Sequence, residues 1–343
     1  MNCFLSRNYK EVVSAGNKAK IDIEIIMERM GFKNIGVARS YSSNTFVAFI
    51  TTLYSVLKSF FNLHRGDTLV LQYPLKKYFA IVCKIAHLRG AKVITVIHDL
   101  GSFRRKALEV KREIERLNNA DCIIAHNESM KQWLLQNGCK AQLLTLGIFD
   151  YLSATKAQES ATPVKPFEVL YAGALTKRKN TFLYEVGEGM TTYKMNLYGF
   201  GFNPAEAKGT ERIEYKGFVP SDELIATACG DFGLVWDGFS IEACTGSFGE
   251  YLKYNNPHKT SLYIRCELPV IIWDKAALAP FIRENNIGLC ISSLTELNEK
   301  LSALTIEDYV TMKNNVKKIS ERLADGHYVR TAIKSAIALF AQN

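Results

Sequence analysis

Cationic side chains beside glycine turns are the residues in this sequence best suited to chemistry, because that pairing accommodates phosphate. In Tyr171-Ala-Gly-Ala-Leu-Thr-Lys-Arg-Lys179, Gly173 permits a tight turn after a strand. Lys177, Arg178 and Lys179 then cluster where a helix is predicted to open. Cations at a helix start oppose its dipole, and an anionic ligand relieves that cost. The same residues also suit a plain glycine turn with solvated lysines. A second segment, Tyr254-Asn-Asn-Pro-His-Lys-Thr-Ser-Leu-Tyr263, places Pro257 in the first turn of a predicted helix, with Asn256 as its cap. Lys259 falls on that turn, where it is suited either to a diphosphate or to solvent.

Four further groups of residues complete the chemical inventory. Tyr198-Gly-Phe-Gly201 closes a predicted strand, but the G-x-G-x-x-G pattern is incomplete. This excludes a nicotinamide site and leaves a loop suited to a ligand's base or ribose. His98 and Asp99 end the apolar strand KVITVIHD, and His126 ends DCIIAH in the same way. Polar residues at the carboxyl ends of parallel strands face a binding crevice, although they also serve as turn formers. Arg104, Arg105 and Lys106 directly follow HDLGSF, either as a solvated helix face or as a surface for phosphate or lipid headgroups. Glu242 and Glu250 have the E-x7-E spacing of many retaining glycosyltransferases. They lie away from the helix leading into the PVI strand, where the second position falls on Leu262, so the spacing is read as coincidence.

These residues need a scaffold, and the sequence alternates short apolar runs with helical stretches. Predicted strands lie at 3–6, 35–38, 68–72, 92–97, 122–125 and 142–146, with helices around 17–31, 45–63, 77–89, 105–118 and 127–137. Residues 153–166 are small and polar and form the best linker. Alternation then resumes, with strands at 168–172, 195–198, 212–215, 232–236, 270–273 and 288–291 and two final helices at 305–323 and 328–341. The pattern predicts an α/β chain of two tandem Rossmann-like domains facing a cleft. Their bounds are 1–152 and 167–325, and a C-terminal helix at 326–343 packs back on the first domain.

Composition narrows the class. The 343 residues are 48% hydrophobic and 22% charged, as in an ordinary globular protein. Eight cysteines without a C-x-x-C pair read as reduced thiols, with neither a zinc site nor a disulfide framework. MNCFLSRNYK turns polar after five residues, which predicts no secretory leader. The run Phe46–Phe61 is sixteen residues long and contains Lys58, which predicts a core helix and not a membrane span. Residues 1–165 hold 24 Lys and Arg against 13 Asp and Glu, and all of the net +9 resides there. Such a half attracts anionic lipid or phosphorylated ligands; no aromatic-interleaved module for nucleic acid accompanies it.

The series YAGALTKRK, LYGFG, GLVWDG, YNNPHKTSLYIRCELPVI and ENNIGL resembles the C-terminal half of bacterial GT-B glycosyltransferases. More narrowly, it is similar to the beta-1,6-galactofuranosyltransferase group and related UDP-sugar-dependent glucosyltransferases. IHDLGSFR resembles the IHD segment of the first half, and the likeness is strongest at 231–290. The resemblance implies that Lys259 meets the donor diphosphate and that Lys177 is a second cation, four residues after Gly173. It places Tyr198 beside the uracil or ribose and Asn256 in the NPHK segment. Ala174 departs from the asparagine common in relatives. The implied enzyme moves a hexosyl group, galactofuranosyl favoured, from a UDP-sugar to a glycan or lipid-diphosphate-linked acceptor. The resemblance implies no need for a metal or other cofactor; the displaced E-x7-E pair favours inversion, and the strand-end Asp99, aided by His98, is the candidate base. The enzyme would work in the cytoplasm, with peripheral contact at the anionic inner membrane face. The competing reading is a nucleotide-sugar-binding protein without catalysis.

Overall fold

The computed structural model describes residues 1–9, 15–75, 78–104, 108–158 and 163–341. The chain divides into two compact units, Met1–Asp150 with Gly326–Asn343, and Tyr151–Asp325. In unit 1 the strands are β1 (Asn2–Phe4), β2 (Lys33–Asn34), β3 (Thr68–Tyr73), β4 (Lys92–Ile97), β5 (Cys122–Ala125) and β6 (Gln142–Thr145). They form one parallel sheet in the order β2-β1-β3-β4-β5-β6. β3 is buried at every position and β4 at all but its first, as expected of strands covered on both faces.

The helices of unit 1 are α1 (Ala15–Arg29), α2 (Thr45–Asn62), α3 (Phe79–Leu88), α4 (Gly101–Arg104), α5 (Val110–Leu117) and α6 (Glu128–Gln136). Local chemistry sets their starts. The Asn44 side chain accepts from the Phe46 and Val47 amides, and Asn127 accepts from Met130. α2 corrects the expectation of a core helix. Its buried residues are Ser55, Val56 and Ser59, while most of its large apolar side chains lie exposed. Ser55 lies against Gly36 and accepts from the Val37 amide, and Val56 joins the core, so a narrow face with small residues is the buried one.

Unit 2 has strands β7 (Phe167–Ala174), β8 (Tyr193–Phe200), β9 (Ile213–Gly217), β10 (Phe232–Val235), β11 (Val270–Trp273) and β12 (Gly288–Ile291). All pair in parallel, in the order β12-β11-β10-β7-β8-β9. Counted within the unit this is 3-2-1-4-5-6, and the strand order reverses between β7 and β10. The helices are α7 (Ser221–Thr227), α8 (Gly246–Tyr251), α9 (His258–Arg265), α10 (Ala279–Glu284), α11 (Leu297–Ala303) and α12 (Ile306–Asp325). The chain then returns to unit 1, where α13 (His327–Ala341) packs on α1, β4, β5 and β6. The Asp150 carboxylate accepts from the Tyr328 and Val329 amides at 3.2 and 2.6 Å and so holds the start of α13.

Two local expectations change. β2 is only two residues long and precedes the predicted 35–38 run. A Cβ at Gly36 would meet Leu5 and Ser55 at 2.8 and 3.0 Å, so α2 crosses too closely for the strand to continue. After β7 no α-helix opens at Lys177: residues 177–179 form a turn, followed by 3-10 turns at Thr181–Tyr184 and Val186–Gly189. The helix-dipole argument for that cation cluster therefore falls away. The predicted linker is tied into unit 2, because buried Arg265 donates to the Ser153 and Thr155 carbonyls.

Candidate functional site

In an open parallel sheet, ligands bind beyond the carboxyl ends of strands at the point where strand order reverses. In unit 2 that point lies between β7 and β10, and Lys259 occupies it. Its Nζ donates to the Asp237 carboxylate at 3.1 Å, to the Tyr171 hydroxyl at 3.1 Å and to the Trp236 carbonyl at 3.5 Å. The ammonium also sits 4.4 Å from the centroid of the Tyr171 ring. Burial pushes the Tyr171 hydroxyl well above its usual range, so it stays a neutral donor, bonded to the same Asp237 oxygen at 3.2 Å.

The helix that carries Lys259 is set by its far side. Tyr263, one turn on, is fully buried, and its hydroxyl accepts from the Ala172 amide of β7 at 2.8 Å. The ring lies so close to β10 that a Cβ at Gly233 would meet its Cγ at 2.2 Å. Residues four apart share a helix face, so anchoring Tyr263 aims Lys259 at the same sheet. Pro257, and not Asn256, takes the position before the first helical residue, and no side-chain hydrogen bond caps α9. Asn256 is buried beside it.

The Gly173 loop meets this site through an asparagine. Asn180, fully buried, donates to the Ala174 carbonyl at 2.7 Å and accepts from the Gly238 amide at 3.3 Å. It thereby ties the turn after β7 to the turn after β10. Gly173 is exposed at the strand end, and a Cβ on it would meet nothing closer than the Tyr171 ring at 3.8 Å. Its neighbour on β8 is tighter: a Cβ at Gly199 would meet the Gly173 carbonyl at 1.9 Å. Lys177 is exposed and paired with Glu206 at 3.3 Å. Lys179 lies 4.9 Å over the Phe248 ring.

Tyr198 lies in the interior of the sheet. Its ring is buried, its hydroxyl accepts from the Cys229 amide at 3.3 Å, and burial pushes its pKa up to about 12. Cys229 precedes β10, on the opposite edge of the sheet from Lys259. The aromatic pair exposed at the carboxyl edge is instead Phe200 and Phe218, stacked at 4.5 Å and 13°. Glu242 and Glu250 are exposed and bonded to Thr295 and Lys253.

In unit 1, His98 and Asp99 follow β4, both partly exposed. His98 Nε2 lies 2.6 Å from Gln72 Oε1, and its ring stacks on Phe149 at 5.5 Å. His126 meets Phe149 edge-on and bonds the Ile97 carbonyl at 3.0 Å. Burial lowers its pKa to about 3, which leaves it neutral and enclosed. The loop after Asp99 is held by buried Glu113, whose carboxylate accepts from the Gly101 and Ser102 amides at 2.8 Å each and from Tyr73 at 2.9 Å. Arg105 and Lys106 lie outside the described residues, as does the side chain of Arg104. Among the described residues, no group of three His, Cys, Asp or Glu side chains is placed to hold a metal ion. No described helix is long and apolar enough to cross a membrane.

Sequence reasoning missed Asp237, Tyr171, Tyr263 and Asn180. Asp237 had a signal, since it ends the apolar run FGLVW as Asp99 ends KVITVI. Asn180 and Tyr263 had none, because their roles depend on which loops and strands meet.

Comparison with known proteins gives the same architecture. Residues 2–148 match the N-terminal domain, and residues 169–336 the C-terminal domain, of the glucosyltransferase 3-like family. The chain is 36% identical over 281 residues to beta-1,6-galactofuranosyltransferase WbbI of Escherichia coli (strain K12), covering 80% of each chain. It is 26% identical over 281 residues to glucosyltransferase 3 of Streptococcus gordonii, covering 79% of each. Among solved structures it resembles the apo lipopolysaccharide outer core galactosyltransferase WaaB, with a TM-score of 0.59 at 12% identity over 100% of this chain and 99% of that one. It also resembles a glycosyltransferase from Rickettsia africae ESF-5, with a TM-score of 0.55 at 12% identity, covering 99% and 98% of the two chains. Two six-stranded parallel sheets, with a cation at the strand-order reversal of the second, are the frame of a GT-B enzyme, and the chain is a glycosyltransferase of the glucosyltransferase 3-like family.

Proposed function

We propose that the enzyme transfers a hexosyl group, galactofuranosyl in preference to others, from a UDP-sugar to a glycan or lipid-diphosphate-linked glycan, with inversion and without a metal. The observation that carries this reading is Lys259, held by Asp237 and Tyr171 between the carboxyl ends of β7 and β10. The name of the 36% identical relative supports the sugar.

In the proposed step, unit 2 holds the donor. The bond between the anomeric carbon and the diphosphate oxygen breaks as the acceptor oxygen attacks, and the electron pair leaves with UDP. Lys259 neutralises the charge that builds on that diphosphate, together with the amides at the uncapped start of α9. Lys177 exchanges Glu206 for a phosphate oxygen, an inexpensive change for an exposed pair. Phe200 and Phe218 offer the uracil a stacking face, while Tyr198 supports the strand behind them. Asp99 of unit 1 takes the acceptor hydroxyl proton, with His98 beside it. Inversion is favoured because the E-x7-E pair, Glu242 and Glu250, lies away from the helix that leads into β11.

The test measures UDP release from UDP-galactofuranose, UDP-galactose, UDP-glucose and UDP-N-acetylglucosamine, with GDP-mannose as control and a chelator present throughout. Fastest release from UDP-galactofuranose, undiminished by the chelator, is expected. Preference for another donor overturns the sugar assignment, and loss of release with chelator overturns metal independence.

A further inference from the structure

The outward face of α2 is apolar along its whole length. Phe46, Ile50, Tyr54, Leu57 and Phe61 are between 45 and 73% exposed. At 100° per residue these five fall within an arc of about 80°, one continuous stripe on the helix. α3 packs beside α2 and adds Ile81 and Leu88, also exposed. Scattered surface apolar residues need no explanation, but a contiguous apolar face of this kind marks a docking surface.

Charge selects the occupant. From residue 29 to residue 98 the sequence carries ten Lys and Arg and a single acid, Asp67. Asp67 is buried and bonded to the N-terminal amine at 2.7 Å. Lys58, Arg65 and Lys84 are exposed around the stripe, and Arg89 lies 5.4 Å over the Phe60 ring. A second copy docking on this face about a two-fold axis would bring cations onto cations, with no exposed acid in that stretch to answer them. An anionic lipid surface answers both features at once, taking the apolar stripe into its interfacial zone and pairing headgroups with the surrounding cations.

We propose that α2 lies in the plane of an anionic membrane, with Phe46, Ile50, Tyr54, Leu57 and Phe61 inserted among the lipids and Lys58, Arg65 and Lys84 on the headgroups. An 18-residue helix is about 27 Å long, enough to seat unit 1 on the surface without spanning it. The inference does not depend on which sugar is transferred.

The experiment is co-sedimentation of the full chain with mixed phosphatidylglycerol–phosphatidylcholine vesicles and with pure phosphatidylcholine vesicles, at low and high salt. Wild type is expected to pellet with the anionic vesicles at low salt, and Leu57→Glu to lose about tenfold in partitioning. Tyr54→Trp, a conservative change at an exposed site, is expected to bind as wild type does and to shift its emission to the blue on adding anionic vesicles. Equal sedimentation of wild type and Leu57→Glu, or an unshifted Tyr54→Trp, overturns the proposal. So does a wild-type dimer that Leu57→Glu converts to monomer, because the occupant is then a second copy.

Discussion

Lys259 and Asp237 share one oxygen with Tyr171: the ammonium lies 3.1 Å from Asp237 Oδ1, and the tyrosine hydroxyl donates to that same atom at 3.2 Å. Both charged side chains are mostly buried, at 15% and 11% exposure. The cation is therefore held by its own neighbours, and under the proposed function a diphosphate must compete with Asp237 for it. Preorganisation of this kind lowers the reorganisation needed when charge develops on a leaving group.

If Lys259 neutralises the diphosphate, Lys259→Ala lowers turnover by ~10²-fold or more and weakens UDP binding. Asp237→Asn acts in the other direction on binding. It removes the competing charge while Tyr171 and the Trp236 carbonyl still hold the lysine, so UDP affinity is retained or increased. Calorimetric titration with UDP distinguishes the two, and unchanged affinity in folded Lys259→Ala removes this residue from the site.

Asp99→Asn preserves shape and removes a proton acceptor. Turnover at saturating acceptor is expected to fall ~10²-fold or more, with UDP affinity unchanged. His98→Gln is the companion variant. Near-normal turnover in Asp99→Asn would assign the base elsewhere, and His126, neutral and enclosed, is a poor successor.

Gly233→Ala tests how α9 is seated. The added methyl would lie 2.2 Å from Tyr263 Cγ, and both neighbours are core. Overpacking of this kind costs ~1–3 kcal/mol, and the helix must lift. Lower thermal stability together with weaker UDP binding is expected. Loss of stability with unchanged UDP affinity would show that α9 does not aim Lys259.

Asp150 and His126 give unit 1 opposing pH dependences. Burial raises the Asp150 carboxyl to about 7, against ~4 unfolded, so the folded chain holds the extra proton between those values. Its contribution to stability is full below about pH 4 and is lost as pH rises through 7. Burial lowers His126 to about 3, against ~6.5 unfolded, so its contribution is present above 6.5 and lost as pH falls toward 3. Between about pH 4 and 6.5 the two oppose each other. Asp150→Asn is expected to make stability climb more steeply with pH there, and His126→Gln to make it climb less steeply or decline. Urea midpoints across that range check both, and curves parallel to wild type contradict the assignments.

The chain alone determined the alternation of strands and crossover helices, the break near residue 153, and Lys259 at the start of a helix before a buried strand. Each is a local pattern, since apolar runs, capping residues and polar breaks are written in consecutive positions. Tertiary structure decided the rest. Asp237, Tyr171, Asn180 and Tyr263 matter because β7 and β10 lie side by side, although more than fifty residues separate them. Tyr198 reads as a site residue by position, yet strand geometry turns its hydroxyl toward Cys229. The run at 46–61 reads as core by composition, yet its buried residues are Ser55, Val56 and Ser59, while most of its Phe and Leu side chains are exposed. Hydrophobicity shows that a segment prefers burial; only the shape of the neighbouring surface decides which of its faces is buried.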